Sequence, residues 1–265
     1  MRLGRIASPD GVAFVTIEGD PSEATCREIA EHPFGNPTFT GRAWPLADVR
    51  LLAPILASKV VCMGKNYAAH AAEMGGTAPE DPVIFLKPNT AIIGPNTAIQ
   101  LPAEADPVHH EGELAAVIGR PCKDVPASRA AENILGYTIA NDVSARDQQR
   151  KDGQWMRAKG HDTFCPVGPW IVTDLDPSDL DLRTEVNGQL RQHSTTALLI
   201  HDIGAIIEWV SAVMTLLPGD LILTGTPEGV GPIEDGDTVS VTISGIGTLT
   251  NPVVRKARKG LKGDQ

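Results

Sequence analysis

Two acidic residues set one apart at the head of an apolar run constrain this chain more than any other feature. The stretch reads His109-His110-Glu111-Gly112-Glu113-Leu114-Ala115-Ala116-Val117-Ile118-Gly119. The partly β-branched run after Glu113 predicts a strand, and side chains on a strand alternate faces. Glu111 and Glu113 therefore project from the same face. Carboxylates held that close repel, and one takes up a proton unless a cation lies between them. Downstream, Gly136-Tyr137-Thr138-Ile139-Ala140-Asn141-Asp142 predicts a second strand over residues 137–140 that delivers a third carboxylate, Asp142, at its end. Three acidic oxygen donors without a neighbouring thiolate suit a hard divalent cation such as Mg²⁺ or Mn²⁺. An isolated Glu-x-Glu more simply lies on the solvated face of an edge strand, so the surroundings of the pair must decide.

At 265 residues the chain can bury one substantial core, or a main domain with a small one attached. A net charge of -10 argues against nucleic acid or an anionic membrane as partner. It still allows a small anionic substrate, because a local cluster of cations can outweigh the global charge. Cys26, Cys62, Cys122 and Cys165 form no CxxC pair and, with no signal-like N-terminus, read as reduced thiols of a cytoplasmic protein. No stretch is apolar over a length that spans a bilayer. Aromatics are 4% of the chain, which predicts a mostly aliphatic core.

Taken in order, residues 1–52 read as a small N-terminal domain packed against a catalytic domain, 53–265. Ser8-Pro9-Asp10-Gly11 is a turn leading into a strand over residues 11–19, and Pro21-Ser22-Glu23-Ala24 reads as the start of a short helix. Residues 59–64 form a buried strand. The Ala-rich segment 68–74 follows as a helix, with Asn66 a candidate N-cap and Gly75-Gly76 its stop. His70 and Glu73, three apart, meet on one helical face as a general-base pair, or form only a surface ion pair. Residues 82–88 read as a strand ending in Lys87, 89–102 as a loop over the sheet, and 126–132 as a short helix. If the chain turns helical after Asp142, Arg146 and Gln149 fall on the Asp142 side, where Arg146 can clamp a substrate carboxylate or merely pair with Asp142.

The polar, turn-rich stretch 155–169 shows no helical periodicity and reads as a functional loop. Its Lys159 either stabilises an enolate near a metal or is a surface lysine. A strand begins at Trp170, Asn187-Gly188 turns a hairpin, residues 203–217 form the longest helix, and residues 221–223 a strand that ends in a Gly-rich turn. That turn lacks the Gly-Lys-Ser/Thr of a phosphate loop. Val239, Val241 and Ile243 alternate with polar residues, and the basic tail from Arg255 is expected to fray.

Six motifs in this order resemble the fumarylacetoacetate hydrolase family. They are Gly64-Lys65-Asn66-Tyr67 with His70-x-x-Glu73, Phe85-Leu86-Lys87-Pro88, His110-Glu111-Gly112-Glu113-Leu114, Asn141-Asp142-Val143-Ser144-Ala145-Arg146-Asp147, Lys159-Gly160-x-Asp162-Thr163 and Thr224-Gly225-Thr226-Pro227. The resemblance runs over about residues 59–254. It implies a mainly β fold with short helices, a mixed β-sandwich roll, usually dimeric, and a small N-terminal domain as in many bacterial members. It also implies Mg²⁺ or Mn²⁺ on Glu111, Glu113 and Asp142, a catalytic or substrate-contacting Lys159, and a substrate site lined by Lys87, Arg146, Gln149 and Thr226. His70 and Glu73 match a dyad carried on a mobile lid.

The resemblance further implies a metal-dependent hydrolase or isomerase for a small anionic 2-oxo acid. Its domain arrangement is most similar to 2-hydroxyhepta-2,4-diene-1,7-dioate isomerases of aromatic-acid degradation, with acylpyruvate hydrolysis and oxaloacetate decarboxylation as rivals. A catalytically silent ligand-binding scaffold is the alternative of another class.

Overall fold

The computed structural model describes residues 1–257. The acidic strand, Gly112–Ile118, has every residue buried and is paired on both sides. Antiparallel neighbours flank it: Ile134–Asn141, in the register Glu113↔Ala140 and Leu114↔Ile139, and Leu221–Leu223, with Ala115↔Leu223. The edge-strand reading of Glu-x-Glu therefore fails. Val60–Gly64 lies parallel to Leu221–Leu223, and Val83–Lys87 closes that edge of the sheet.

In the other direction the sheet continues through Cys165–Val172 into an N-terminal meander of Arg2–Ser8, Gly11–Glu18, Thr25–Ile29 and Phe39–Pro45. Arg2 pairs with Val172 and Leu3 with Ile171. The N-terminal segment thus extends the main sheet, where the sequence predicts a unit packed against it. Its expected helix at Pro21 is a turn instead. The Asp20 carboxylate accepts from both the backbone N–H and the hydroxyl of Ser22, a local bond that competes with helix, and the chain runs on as the strand at Thr25.

A second, five-stranded sheet runs in the order Gln189–Thr195, Asp181–Val186, Thr238–Ile243, Gly247–Arg255 and Ile99–Leu101. Asn187 and Gly188 turn its hairpin at positive φ, 53° and 74°, the pair that a type I′ turn requires. Ile99–Leu101 lies within the segment expected to loop; it is recruited by parallel pairing with Gly247–Arg255, a contact too distant in sequence to be signalled locally. Arg255 ends a strand rather than fraying, and its N–H donates to Asp235. The tail past residue 257 lies outside the described residues.

The sheets meet through alternation. Leu114, Ala116, Ile118 and Ile139 pack with Leu182, Val241 and Ile243 of the second sheet and with Ile206, Ile207 and Val210 of a helix. The opposite face of the central strands, Ala115, Val117, Cys62, Leu221 and Ile171, builds a separate cluster. The fold is mainly β, with an aliphatic core.

Among the described residues four short α-helices serve this frame: α1 (Ala68–Glu73), α2 (Arg146–Asp152), α3 (Met156–Lys159) and α4 (Ile203–Val213). The last ends four residues earlier than the periodicity predicts. Leu216 exchanges backbone hydrogen bonds with Cys122, and Pro218 disfavours helix in the residue before it. No helix among the described residues is long and apolar enough to cross a membrane. Truncating Leu114, central to the larger cluster, to Ala is expected to lower unfolding stability by about 2–5 kcal/mol. Urea melts check this as a lower midpoint at unchanged slope.

Candidate active site and metal centre

The two central strands end side by side, and one backbone and one side-chain hydrogen bond lock their acidic ends together. Asp142 N–H donates to Glu111 O at 2.8 Å, and Glu111 N–H donates to the Asn141 side chain at 2.9 Å. Glu113 accepts from Gly225 N–H at 2.7 Å. One carboxylate oxygen from each of Glu111, Glu113 and Asp142 lies within 4.8 Å of the others, and all three residues are buried.

Three cations answer them. Lys87 Nζ lies 2.5 Å from Asp142 Oδ1 and also donates to Val143 O. Lys159 Nζ bridges Glu111 Oε2 at 2.7 Å and Asp142 Oδ2 at 2.8 Å. Arg146 Nη2 is 2.5 Å from Glu111 Oε1. Lys159 reaches this point because residues 156–159 make a helical turn, α3, within the stretch read as loop, and its N–H donates to Trp155 O at 2.9 Å. One turn is too short to show periodicity in a sequence.

The cations are unevenly shared. Burial pushes Glu111 up, but Lys159 and Arg146 outweigh it and hold the carboxyl well below its ordinary range. Burial together with Asp142 and Glu111 pushes Glu113 well above that range, Lys159 offsetting only part. Burial lowers Lys159 less than Asp142 and Glu111 raise it, so it stays charged. A cation bound among the three carboxylates would offset that repulsion and favour the ionised form of Glu113. The three oxygen donors fit a divalent ion, and the uneven sharing of the lysines marks the gap one would fill.

A cleft of about 210 Å³ opens onto this centre, below the roughly 300–1,000 Å³ of drug-sized ligand pockets. Of the residues singled out from sequence, His70, Glu111, Arg146, Gln149, Lys159 and Thr226 line it. Glu113, Asp142 and Lys87 are buried outside that lining, Lys87 being one that the resemblance placed among the substrate contacts, and Glu73 is an exposed residue of α1 outside it. Lys87 is fully buried and its ammonium pairs with Asp142, so it faces the carboxylates and not the cleft. Arg146 Nη1 donates to Gln149 Oε1 at 2.8 Å, and Arg146 Nε, also buried, has no hydrogen-bond partner among the described residues.

His70 Nδ1 stands 3.3 Å from Glu73 Oε2, and Glu73 also accepts the Gly229 N–H at 3.1 Å. Asn66 does not cap α1, whose N-cap is Tyr67 with no side-chain bond. Its amide instead donates to His201 O and Thr224 O and accepts from His201 N–H, tying the root of α1 to the Thr224–Thr226 loop.

Sequence reasoning missed Gln192, a fully buried residue of the second sheet. Its Oε1 accepts from Gly112 N–H at 3.0 Å and lies 3.2 Å from His110 Nδ1, while Nε2 donates to Thr226 Oγ1 and Pro227 O, each at 2.8 Å. One amide therefore joins the acidic strand to the Thr226 loop. The sheets approach so closely here that a Cβ on Gly112 would collide with Thr184 Oγ1. A glutamine in an otherwise ordinary hairpin strand carries no local signal of this.

The comparisons agree with this fold. Residues 59–254 match the family model described as Fumarylacetoacetate (FAA) hydrolase C-terminal, and residues 1–54 match one described as Rv2993c-like, N-terminal. The chain belongs to the fumarylacetoacetate hydrolase family. It is similar to the crystal structure of 5-carboxymethyl-2-hydroxymuconate delta-isomerase from Mycobacterium smegmatis (84% identity, TM-score 0.92, covering 97% of this chain and 100% of that one). It is also similar to the structure of 2-hydroxyhepta-2,4-diene-1,7-dioate isomerase from Mycobacterium marinum (77% identity, TM-score 0.92, the same coverage). An oxaloacetate tautomerase of Xenopus laevis is 43% identical over 78% of this chain and 69% of its own length.

Replacing one partner of a buried ion cluster strands the other. Lys87→Met is expected to cost about 3–5 kcal/mol of unfolding stability, read by denaturant titration. Gln192→Leu removes a support of the ligand strand, and calorimetric titration should show Mn²⁺ affinity about 10- to 100-fold weaker.

Proposed function

We propose that this protein is a divalent-metal-dependent isomerase that interconverts 2-hydroxy-dienoic and 2-oxo forms of a small diacid through an enolate. The observation that carries the reading is the convergence of Arg146, Lys159 and His70 with the carboxylate cluster on one narrow cleft. We assign Mg²⁺ or Mn²⁺ to Glu111, Glu113 and Asp142; bound there, the ion supplies Lewis-acid stabilisation to negative charge developing on a 2-oxo acid.

The chain's own groups do the rest. Arg146, held at one side by Gln149, lines the cleft and is assigned to the substrate carboxylate. Lys159 donates to the 2-oxygen as its charge grows, and burial makes that contact stronger than it would be in water. His70, oriented through Nδ1 by Glu73, carries the proton that leaves the 2-hydroxyl and returns to a carbon of the conjugated chain. Met63, Phe85 and Trp155 wall the cleft with apolar surface that keeps water from the enolate.

The names of the two mycobacterial structures support this chemistry, and the oxaloacetate tautomerase is a second keto–enol interconversion on a small diacid. Hydrolysis of an acylpyruvate is the second reading. It is favoured by the partial exposure of Glu73, which leaves the outer edge of the dyad in reach of water.

Turnover assays on the heptadiene-dioate, an acylpyruvate and oxaloacetate, with Mg²⁺ and then with EDTA, test the proposal. We expect metal-dependent loss of dienol absorbance, abolished by EDTA, with kcat reduced about 10²- to 10⁴-fold in His70→Ala and Lys159→Met. Tight Mg²⁺ binding without turnover of any of the three would overturn it, and turnover of the acylpyruvate alone would select hydrolysis.

A further inference from the structure

The cleft has two charged ends and an apolar middle. At its floor, Glu111 and Asp142 are paired with the cations Lys87, Arg146 and Lys159, and Glu113 accepts from Gly225 N–H. A divalent ion would add two positive charges there, and the near end of a 2-oxo acid, as carboxylate plus enolate, brings two negative ones. Nothing is left at the floor for a second carboxylate.

Two further cations line the same cleft away from that floor. Arg150 is exposed and Lys65 half-buried, whereas Arg146 and Lys159 are buried. Among the described residues neither Lys65 nor Arg150 takes a carboxylate partner. Unpaired cations flanking one concavity are notable in a chain of net charge -10. Arg150 follows Arg146 by four residues on α2, so the helix presents both on one face, about 6 Å apart along its axis. Lys65 holds φ at 56°, a left-handed conformation that is uncommon for a residue with a side chain. Its Nζ reaches the turn that ends α1, where a Cβ on Gly76 would stand only 3.2 Å away.

Trp155 also lines the cleft, edge-on to Phe85 at 5.3 Å and so close over Gly64 that a Cβ there would stand 2.5 Å from the indole. The wall suits a short carbon chain and offers no charge.

We propose that Lys65 and Arg150 form a second anion site at the mouth of the cleft, which reads the far carboxylate of a dicarboxylic substrate. This rests on the proposed reading of the floor as a 2-oxo acid site, and it makes the protein selective for diacids over chains with a neutral end.

The test compares a 2-hydroxy-dienoic diacid with its far-end monoamide, in the wild type and in Lys65→Asn and Arg150→Gln. Asn tolerates the left-handed backbone at position 65, so the change removes charge without adding strain. We expect the wild type to favour the diacid at least about 10-fold in kcat/KM. Each variant should raise KM for the diacid about 10- to 100-fold, leaving kcat and the kinetics of the monoamide near wild type. Calorimetry of a 2-oxo diacid and its far-end monoamide on the Mn²⁺-loaded protein gives a readout independent of turnover, and oxalate, which has no far end, should bind all three proteins alike. Equal preference for diacid and amide in the wild type, in kinetics or in binding, would overturn the inference, as would variants that weaken both ligands equally. Absence of turnover with diacid-selective binding would instead sink only the proposed reaction.

Discussion

The structure depends on three carboxylates and three cations sharing one buried volume. Removing six charges from water is costly, and the cost is offset only if each finds an opposite charge or a hydrogen-bond donor. Glu111, Glu113 and Asp142 come from two adjacent central strands; Lys87, Arg146 and Lys159 come from an edge strand and two short helices. No local segment contains a stable subset. The central strands must pair in one register, α2 must start at Arg146, and α3 must turn once to lift Lys159, or a charge is left stranded. The cluster is thus a constraint on topology as much as a site.

That constraint explains why an aliphatic two-sheet fold tolerates such polarity at its centre. Hydrophobic burial on both faces of Gly112–Ile118 supplies the stabilisation, and the acidic end of the strand is where it is spent. The second sheet does more than cover the first. Through Gln192 it fixes Gly112 on one strand and Thr226 on the loop after another, so one side chain ties the wall of the cleft to the ligand strand. Asn66 performs the matching task at the root of α1, joining it to Thr224. Side-chain amides suit both places, because each can donate and accept at once where backbone groups from different elements would otherwise stay unpaired.

Features of the chain that rest on local chemistry were legible in the sequence, and those that rest on distant pairing were not. Period-2 alternation at Val239, Val241 and Ile243, the Asn187-Gly188 turn and the i,i+3 contact of His70 with Glu73 all express geometry a few residues long. The carboxylate trio was readable because two members share one strand face and the third ends a second recognisable run. The recruitment of Ile99–Leu101, the fusion of Arg2–Ser8 onto Cys165–Val172 and the buried work of Gln192 each need a partner about 80 to 170 residues away, as the pairings and hydrogen bonds record. Lys87 shows the limit of motif reasoning in another way: the residue sits beside the site as its motif implies, yet faces the carboxylates and not the cleft.

In the proposed reading, the choice between isomerisation and hydrolysis is a question of water, and α1 is the element that decides it. An enolate held by Lys159 and Arg146 collapses to product by whichever electrophile or nucleophile reaches it first. His70 is buried in the cleft wall, whereas its partner Glu73 is about one-third exposed and latched to Gly229 by a single N–H. The helix is six residues long, too short to be stable by itself, so it persists through Asn66 at one end and Glu73 at the other. With both ties made, the histidine meets substrate in a nearly dry cleft and can only move protons. In the same reading, breaking the Glu73 tie would open the histidine to solvent, where it could activate a water. In this reading the Asn66 and Glu73 ties of α1 are where relatives with one scaffold can diverge in chemistry without changing a ligand.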